Sequence, residues 1–142
     1  MFPVIPSIDP RLVNLAPGFR ALSISVRGAE MIHPEVGAAA LAHACQTFTT
    51  SAPWAEAHLQ AWAEVFRRFG AKPQRTPCSA DALRKRVLRD GTMANIDPVV
   101  DLYNAVSIRY AIAVGGENAA TYVGTPTLTL ADSSELFDTI KE

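Results

Sequence analysis

The spacing of hydrophobic and polar positions changes several times along this 142-residue chain, and each change predicts an element. Prolines and Gly18 break up the first 18 residues, which predicts a loop. In "FRALSISVRG", Leu22, Ile24 and Val26 alternate with Ser23, Ser25 and Arg27, the two-residue period of a half-buried strand. "HPEVGAAALAHACQTF" predicts a helix opened by Pro34 and packed closely through its alanines, with Gly37 as its weak point. "TTSAPWAEAHLQAWAEVFRRFG" predicts a second helix, capped by Ser51 or Thr50, with Pro53 in its first turn and Gly70 after its end. Its apolar stripe is Trp54, Ala57, Ala61, Val65 and Phe69, flanked by Trp62 and Phe66. A third helix follows in "CSADALRKRVLRDG", capped by Ser79 and stopped by Gly91, with Leu83 and Val87 inward.

"NIDPVVDLYNAVSIRYAIAVGGEN" breaks the usual amphipathic rule. Asp97 before Pro98 is a helix start. At about 100° per residue, Val99, Leu102, Tyr103, Val106 and Tyr110 gather on one face. Asp101, Asn104 and Ile108 share the opposite face, flanked by Val100 and Ser107, so the second face is covered as well. Buried polar groups there require partners, because a stranded one costs about 1–3 kcal/mol. Asp101 and Asn104 therefore either tie the helix to neighbouring loops or line a pocket. "AIAVGGEN" reads as a short buried strand ending in two glycines, which form a plain turn or let the backbone approach a ligand. "TPTLTLAD" reads as a strand, followed by the acidic tail "SSELFDTIKE". Strands at both ends of a helical middle favour a single α+β domain.

Composition adds bounds. Hydrophobic residues make up 49% of the chain and charged ones 19%, as in a folded globular protein. No apolar run spans a bilayer and the start lacks a secretion signal, so cytoplasm and no membrane contact are expected. Cys45 and Cys78 match no metal spacing and are expected as buried thiols in a reducing compartment. Cys78 ahead of a helix start is a weak nucleophile candidate. His33, His43 and His58 lack helical metal spacing, so neither metal nor other cofactor is expected.

Net charge is only −1, yet charge is unevenly distributed. Arg67, Arg68, Lys72, Arg75, Arg84, Lys85, Arg86 and Arg89 face only Asp81 within their stretch. The cluster is either a solvated surface or a seat for a phosphate backbone, which it would position without reading bases.

"RTPCSADALRKRVLRDGTMANIDPVVDLYNAVSIRYAIAVGGEN" resembles the signature stretch of stand-alone relatives of the editing domain in the phenylalanyl-tRNA synthetase beta subunit, the B-three/B-four domain. "WAEVFRRFGAKPQR" and "TLTLADSSELFDTI" are similar to its flanking parts, so the likeness covers roughly residues 54–140. The resemblance implies a single α+β domain with sheet layers flanked by helices. It also implies hydrolysis of a mismatched aminoacyl ester by a positioned water, without metal or covalent intermediate. Carried onto this chain, the pocket is Asn104, Ser107, Gly115, Gly116 and Asn118. Arg84, Lys85, Arg86 and Arg89 hold tRNA phosphate. Where the synthetase has a loop histidine, this chain has Gly116, Glu117 and Asn118, which makes Glu117 the candidate base for the water.

The family domain continues through further strands, so a member shortened at its C-terminus, or one completed by a homodimer, is expected. The resulting expectation is an editing domain acting in trans on tRNA, held by its phosphate backbone and aminoacylated end, with no DNA partner. The alternatives are a non-catalytic RNA- or ligand-binding module and an accessory subunit that completes its fold by dimerisation.

Overall fold

The structure is a computed structural model that describes residues 4–136. Its elements are β1 (Ser7–Ile8), α1 (Pro10–Leu15), α2 (Pro34–Ser51), α3 (Ala55–Arg68), α4 (Ser79–Asp90), α5 (Pro98–Tyr110) and β2 (Thr127–Leu128). Short 3-10 turns occupy Ala29–Met31 and Ala119–Thr121. The chain is mostly helical with one small two-stranded sheet, compatible with the α+β class. The described residues divide into two compact units, residues 26–117 and residues 4–25 with 118–136.

In the larger unit, α5 packs chiefly on α2 and also on α4. Leu41, Ala44, Cys45 and Phe48 of α2 are buried with Val87 of α4 and with Ala105 and Ile108 of α5. Each such Leu, Ile or Phe contributes about 1.5–3 kcal/mol by leaving water. Asp97 caps α5 as expected, its Oδ1 accepting from the backbone N–H groups of Val99 at 2.9 Å and Val100 at 3.4 Å. Gly91 ends α4 in the left-handed region at φ 74°, also as expected.

Gly37 sets the spacing between α2 and α5. A Cβ built there would lie 2.7 Å from the carbonyl oxygen of Pro98 and 2.9 Å from its Cα. Both obstacles are backbone, so no rotamer change relieves the clash. At the other end of α2, Ser51 Oγ lies 2.6 Å from the Arg109 carbonyl. Start meets start and end meets end, so the two helices run parallel.

The smaller unit is held by a parallel pairing of β1 with β2, in the register Ser7 to Thr127 and Ile8 to Leu128. Asp9 stands beside it and caps α1, accepting from the Arg11 backbone N–H, the Arg11 guanidinium and the Thr129 hydroxyl. Ile8-Asp9-Pro10 repeats the Ile96-Asp97-Pro98 helix start, and this signal contradicts the loop expected over the first 18 residues.

Several other expectations are corrected. Residues 22–26 form no strand, and Leu22, Ile24 and Val26 are 66–84% exposed. Alternation specifies two faces but not a partner, and the only sheet among the described residues lies elsewhere. "AIAVGGEN" is likewise not a strand: Ala111 turns left-handed at φ 55° and the chain runs on irregularly. The strand in "TPTLTLAD" shrinks to Thr127–Leu128, so the expected sheet layers are absent among the described residues. α3 starts later than expected, with Trp54 as its N-cap, because α2 continues through Ser51. Ala57 and Ala61 of its expected stripe are exposed, and its buried residue is Ala55. Cys78, not Ser79, is the N-cap of α4. The acidic tail from residue 137 lies outside the described residues.

Gly37→Ala separates the two contributions a glycine makes. Helix propensity alone would stabilise by about 1 kcal/mol. The backbone clash is expected to dominate, giving net destabilisation of about 1–3 kcal/mol in urea denaturation. Gly115→Ala, which has nothing within 4 Å, is the neutral control. A second expectation concerns acid. The Arg11 side chain, then the Arg11 backbone N–H and the Thr129 hydroxyl, hold the Asp9 carboxyl well below the usual carboxylate range. Its contribution is therefore present above the unfolded value and lost as pH falls through the lower folded one. Amide exchange at Ser7 and Asp9, which donate to Pro126 and Leu128, is expected to accelerate beyond the intrinsic rate below about pH 4.

Candidate functional site

The polar face of α5 is buried, as its helical phase implied, and its groups divide into occupied and available. Asp101 is 3% exposed and accepts from the Asn95 side-chain amide at 2.9 Å and the Ile96 backbone N–H at 3.0 Å. One bond to each carboxylate oxygen fixes the turn that leads into the helix, so Asp101 ties α5 to its loop. Ser107 is fully buried, and its hydroxyl donates to the Ile112 carbonyl at 2.5 Å. That bond closes the chain over the left-handed Ala111. Asn104, only 8% exposed, makes no side-chain hydrogen bond to another described residue. No buried polar side-chain atom among the described residues lacks a partner, so the Asn104 amide reaches solvent and retains capacity for a ligand.

Gly115, Gly116 and Glu117 follow as exposed residues. A Cβ on Gly116 would lie 3.2 Å from Cε1 of Tyr103, so the Gly116 backbone rests against the ring of Asn104's neighbour. Asn118 belongs to the smaller unit, where its Oδ1 accepts from Ala120 N–H at 3.0 Å and opens the 3-10 turn. A shallow depression of about 450 Å³ at the starts of α2 and α5 includes none of these residues. Glu35, Asp97 and Asp101 line it, a chemistry that repels phosphate.

The basic residues of α4 also divide. Lys85, Arg86 and Arg89 are exposed; Lys85 pairs with Asp81 at 2.7 Å and Arg89 with Asp90 at 2.7 Å. Such surface pairs are worth about 0–1 kcal/mol and exchange readily for phosphate. Arg84 instead turns inward. Its Nη1 donates to the Ile108 carbonyl at 2.5 Å and its Nη2 to the Phe48 carbonyl at 3.3 Å, while its guanidinium lies 4.9 Å from the Phe48 ring centroid. Burial pushes its pKa down from the ordinary arginine value, with Asp81 opposing. Arg84 thus serves the carboxyl ends of two helices, where positive charge is favoured.

The thiols are not activated. Cys45 and Cys78 are both buried and unbridged, and burial pushes each thiol up. This overturns Cys78 as a nucleophile, because desolvation outweighs the helix start beside it. Among the described residues no three His, Cys, Asp or Glu side chains form a group that could hold a metal ion, and no helix is long and apolar enough to cross a membrane.

The family model of the B3/4 domain matches residues 61–142. No curated protein and no solved structure matches the chain.

Arg84→Met is expected to cost about 2–3 kcal/mol, since two half-buried helix carbonyls lose a charged donor. Arg86→Met, on the exposed face, is expected to change stability by less than about 0.5 kcal/mol. Parallel urea titrations check the contrast, and equal effects would contradict the inward placement of Arg84.

Proposed function

The chain belongs to the B3/4 domain family of the phenylalanyl-tRNA synthetase beta subunit, and we propose that it acts in trans on aminoacyl-tRNA, removing a mismatched amino acid by ester hydrolysis. The observation that carries this reading is the available amide of Asn104, on a helix whose other buried polar side chains, Asp101 and Ser107, are occupied. Further along the chain, Gly116 lies against the Tyr103 ring with no side chain of its own, and the exposed Gly115-Gly116 backbone is open to a ligand. In the proposed site Asn104 holds the aminoacyl group and the Gly115-Gly116 backbone supports the carbonyl. Glu117 takes a proton from the attacking water. Ser107 acts indirectly, by fixing the exit of the chain from α5. The exposed edge of α4, with Lys85, Arg86 and Arg89, holds phosphate. Arg84 positions that helix instead of contacting RNA.

A second reading, an RNA-binding module without hydrolysis, draws on one specific observation. Glu117 is exposed, and a solvated carboxylate is a weak base for water.

The two readings separate in deacylation of a panel of mischarged tRNAs, beginning with tyrosine on the phenylalanine tRNA. Editing is expected to hydrolyse one mismatched ester selectively, spare the correct one, and fall at least about 100-fold in Glu117→Gln. Replacing Lys85, Arg86 and Arg89 by alanine is expected to weaken tRNA binding. It should also flatten its salt dependence, by about 0.7–0.9 in log–log slope for each phosphate left unneutralised. Binding without hydrolysis would leave the second reading, and absence of both would overturn each of them.

A further inference from the structure

The carboxyl end of α5 carries Arg109 and Tyr110, which have no part in the site above. The Trp54 indole Nε1 donates to the Tyr110 carbonyl at 2.9 Å, and Ser51 Oγ lies 2.6 Å from the Arg109 carbonyl. Two successive carbonyls of the last turn are thus held from the corner between α2 and α3. That corner is itself packed, with Ala52 and Ala55 buried against Ala111. The backbone that presents Arg109 and Tyr110 is therefore held at two successive carbonyls. Trp54 nevertheless remains 46% exposed, although its polar edge is anchored. Arg109 is exposed, pairs with no carboxylate among the described residues, and stands with its guanidinium carbon 5.3 Å from the Tyr110 ring centroid.

An anchored indole, a phenol ring and an uncompensated guanidinium at one helix end match the chemistry that binds unpaired bases. Flat π-faces stack on the base, and the cation strengthens the stack and meets the backbone charge. We infer that Trp54, Arg109 and Tyr110 form a stacking platform for an unpaired nucleobase of the bound RNA. This rests on the tRNA-binding reading for its partner but on different residues for its contacts. Pre-anchoring of the turn means that little ordering is needed on binding.

The test uses the full chain carrying Trp62→Phe, so that Trp54 alone emits. It is titrated with single-stranded hexaadenylate, with an abasic hexamer of equal charge, and with intact tRNA. Saturable change in Trp54 emission is expected with hexaadenylate, which should bind at least about five-fold tighter than the abasic strand. That preference is expected to vanish in Arg109→Ala, which leaves Trp54 and the packed corner intact. Equal affinity for the two hexamers, or unchanged Trp54 emission, would overturn the platform. If the hexamers bind alike while tRNA still binds, the platform falls and the tRNA reading stands. If hexaadenylate is preferred while tRNA is not bound, the tRNA reading falls and the platform stands.

Discussion

The contact between Gly37 and the backbone of Pro98 is the constraint on which the larger unit depends. It brings two helix starts together and so commits α2 and α5 to a parallel course. Parallel dipoles repel. Half-charges about 9 Å apart at a surface-like dielectric cost roughly 0.5 kcal/mol at each end. The chain supplies opposite charge and donors at the appropriate ends. Asp97 and Asp101 sit at the starts. Arg84, Ser51 and Trp54 supply donors to the carbonyls at the finishes. The helix pair is thus held by apolar packing along its length and by polar closure at its ends.

That closure determines which polar residues are left for function. Asp101 and Ser107 are buried for the same reason that they are occupied, since each secures a chain segment entering or leaving α5. Arg84 is drawn out of the basic run by the carbonyls it serves. What remains is the Asn104 amide, the exposed Gly115-Gly116 segment against Tyr103, and the exposed cations of α4. The proposed ester hydrolysis draws on an amide, backbone donors and a carboxylate.

Much of the helical framework was legible in the sequence because its signals are local. Asp97-Pro98 and Gly91 mark a start and a stop through their own backbone preferences, and the structure honours both. The same reasoning applied to Asp9-Pro10 would have found α1. Signals that depend on a distant partner were not legible. Gly37 reads as a helix weakness until Pro98 is seen against it. Arg84 is indistinguishable from Lys85 and Arg86 in the sequence, since only the neighbouring carbonyls turn it inward. The alternation at Leu22, Ile24 and Val26 is a real pattern without a sheet to receive it. Of the candidate pocket, the burial of Asn104 was readable from helical phase, whereas the occupation of Ser107 required knowing where Ile112 goes.

The most direct measurement is the set of nuclear Overhauser contacts made by the Gly37 α-protons in the folded chain. The parallel pair requires strong cross-peaks from Gly37 to Pro98 and Asp101, with Ser51 instead near Arg109. Cross-peaks from Gly37 to Arg109 or Tyr110 would reverse the course of α5. They would remove the account of how Arg84, Asp101 and Ser107 are employed.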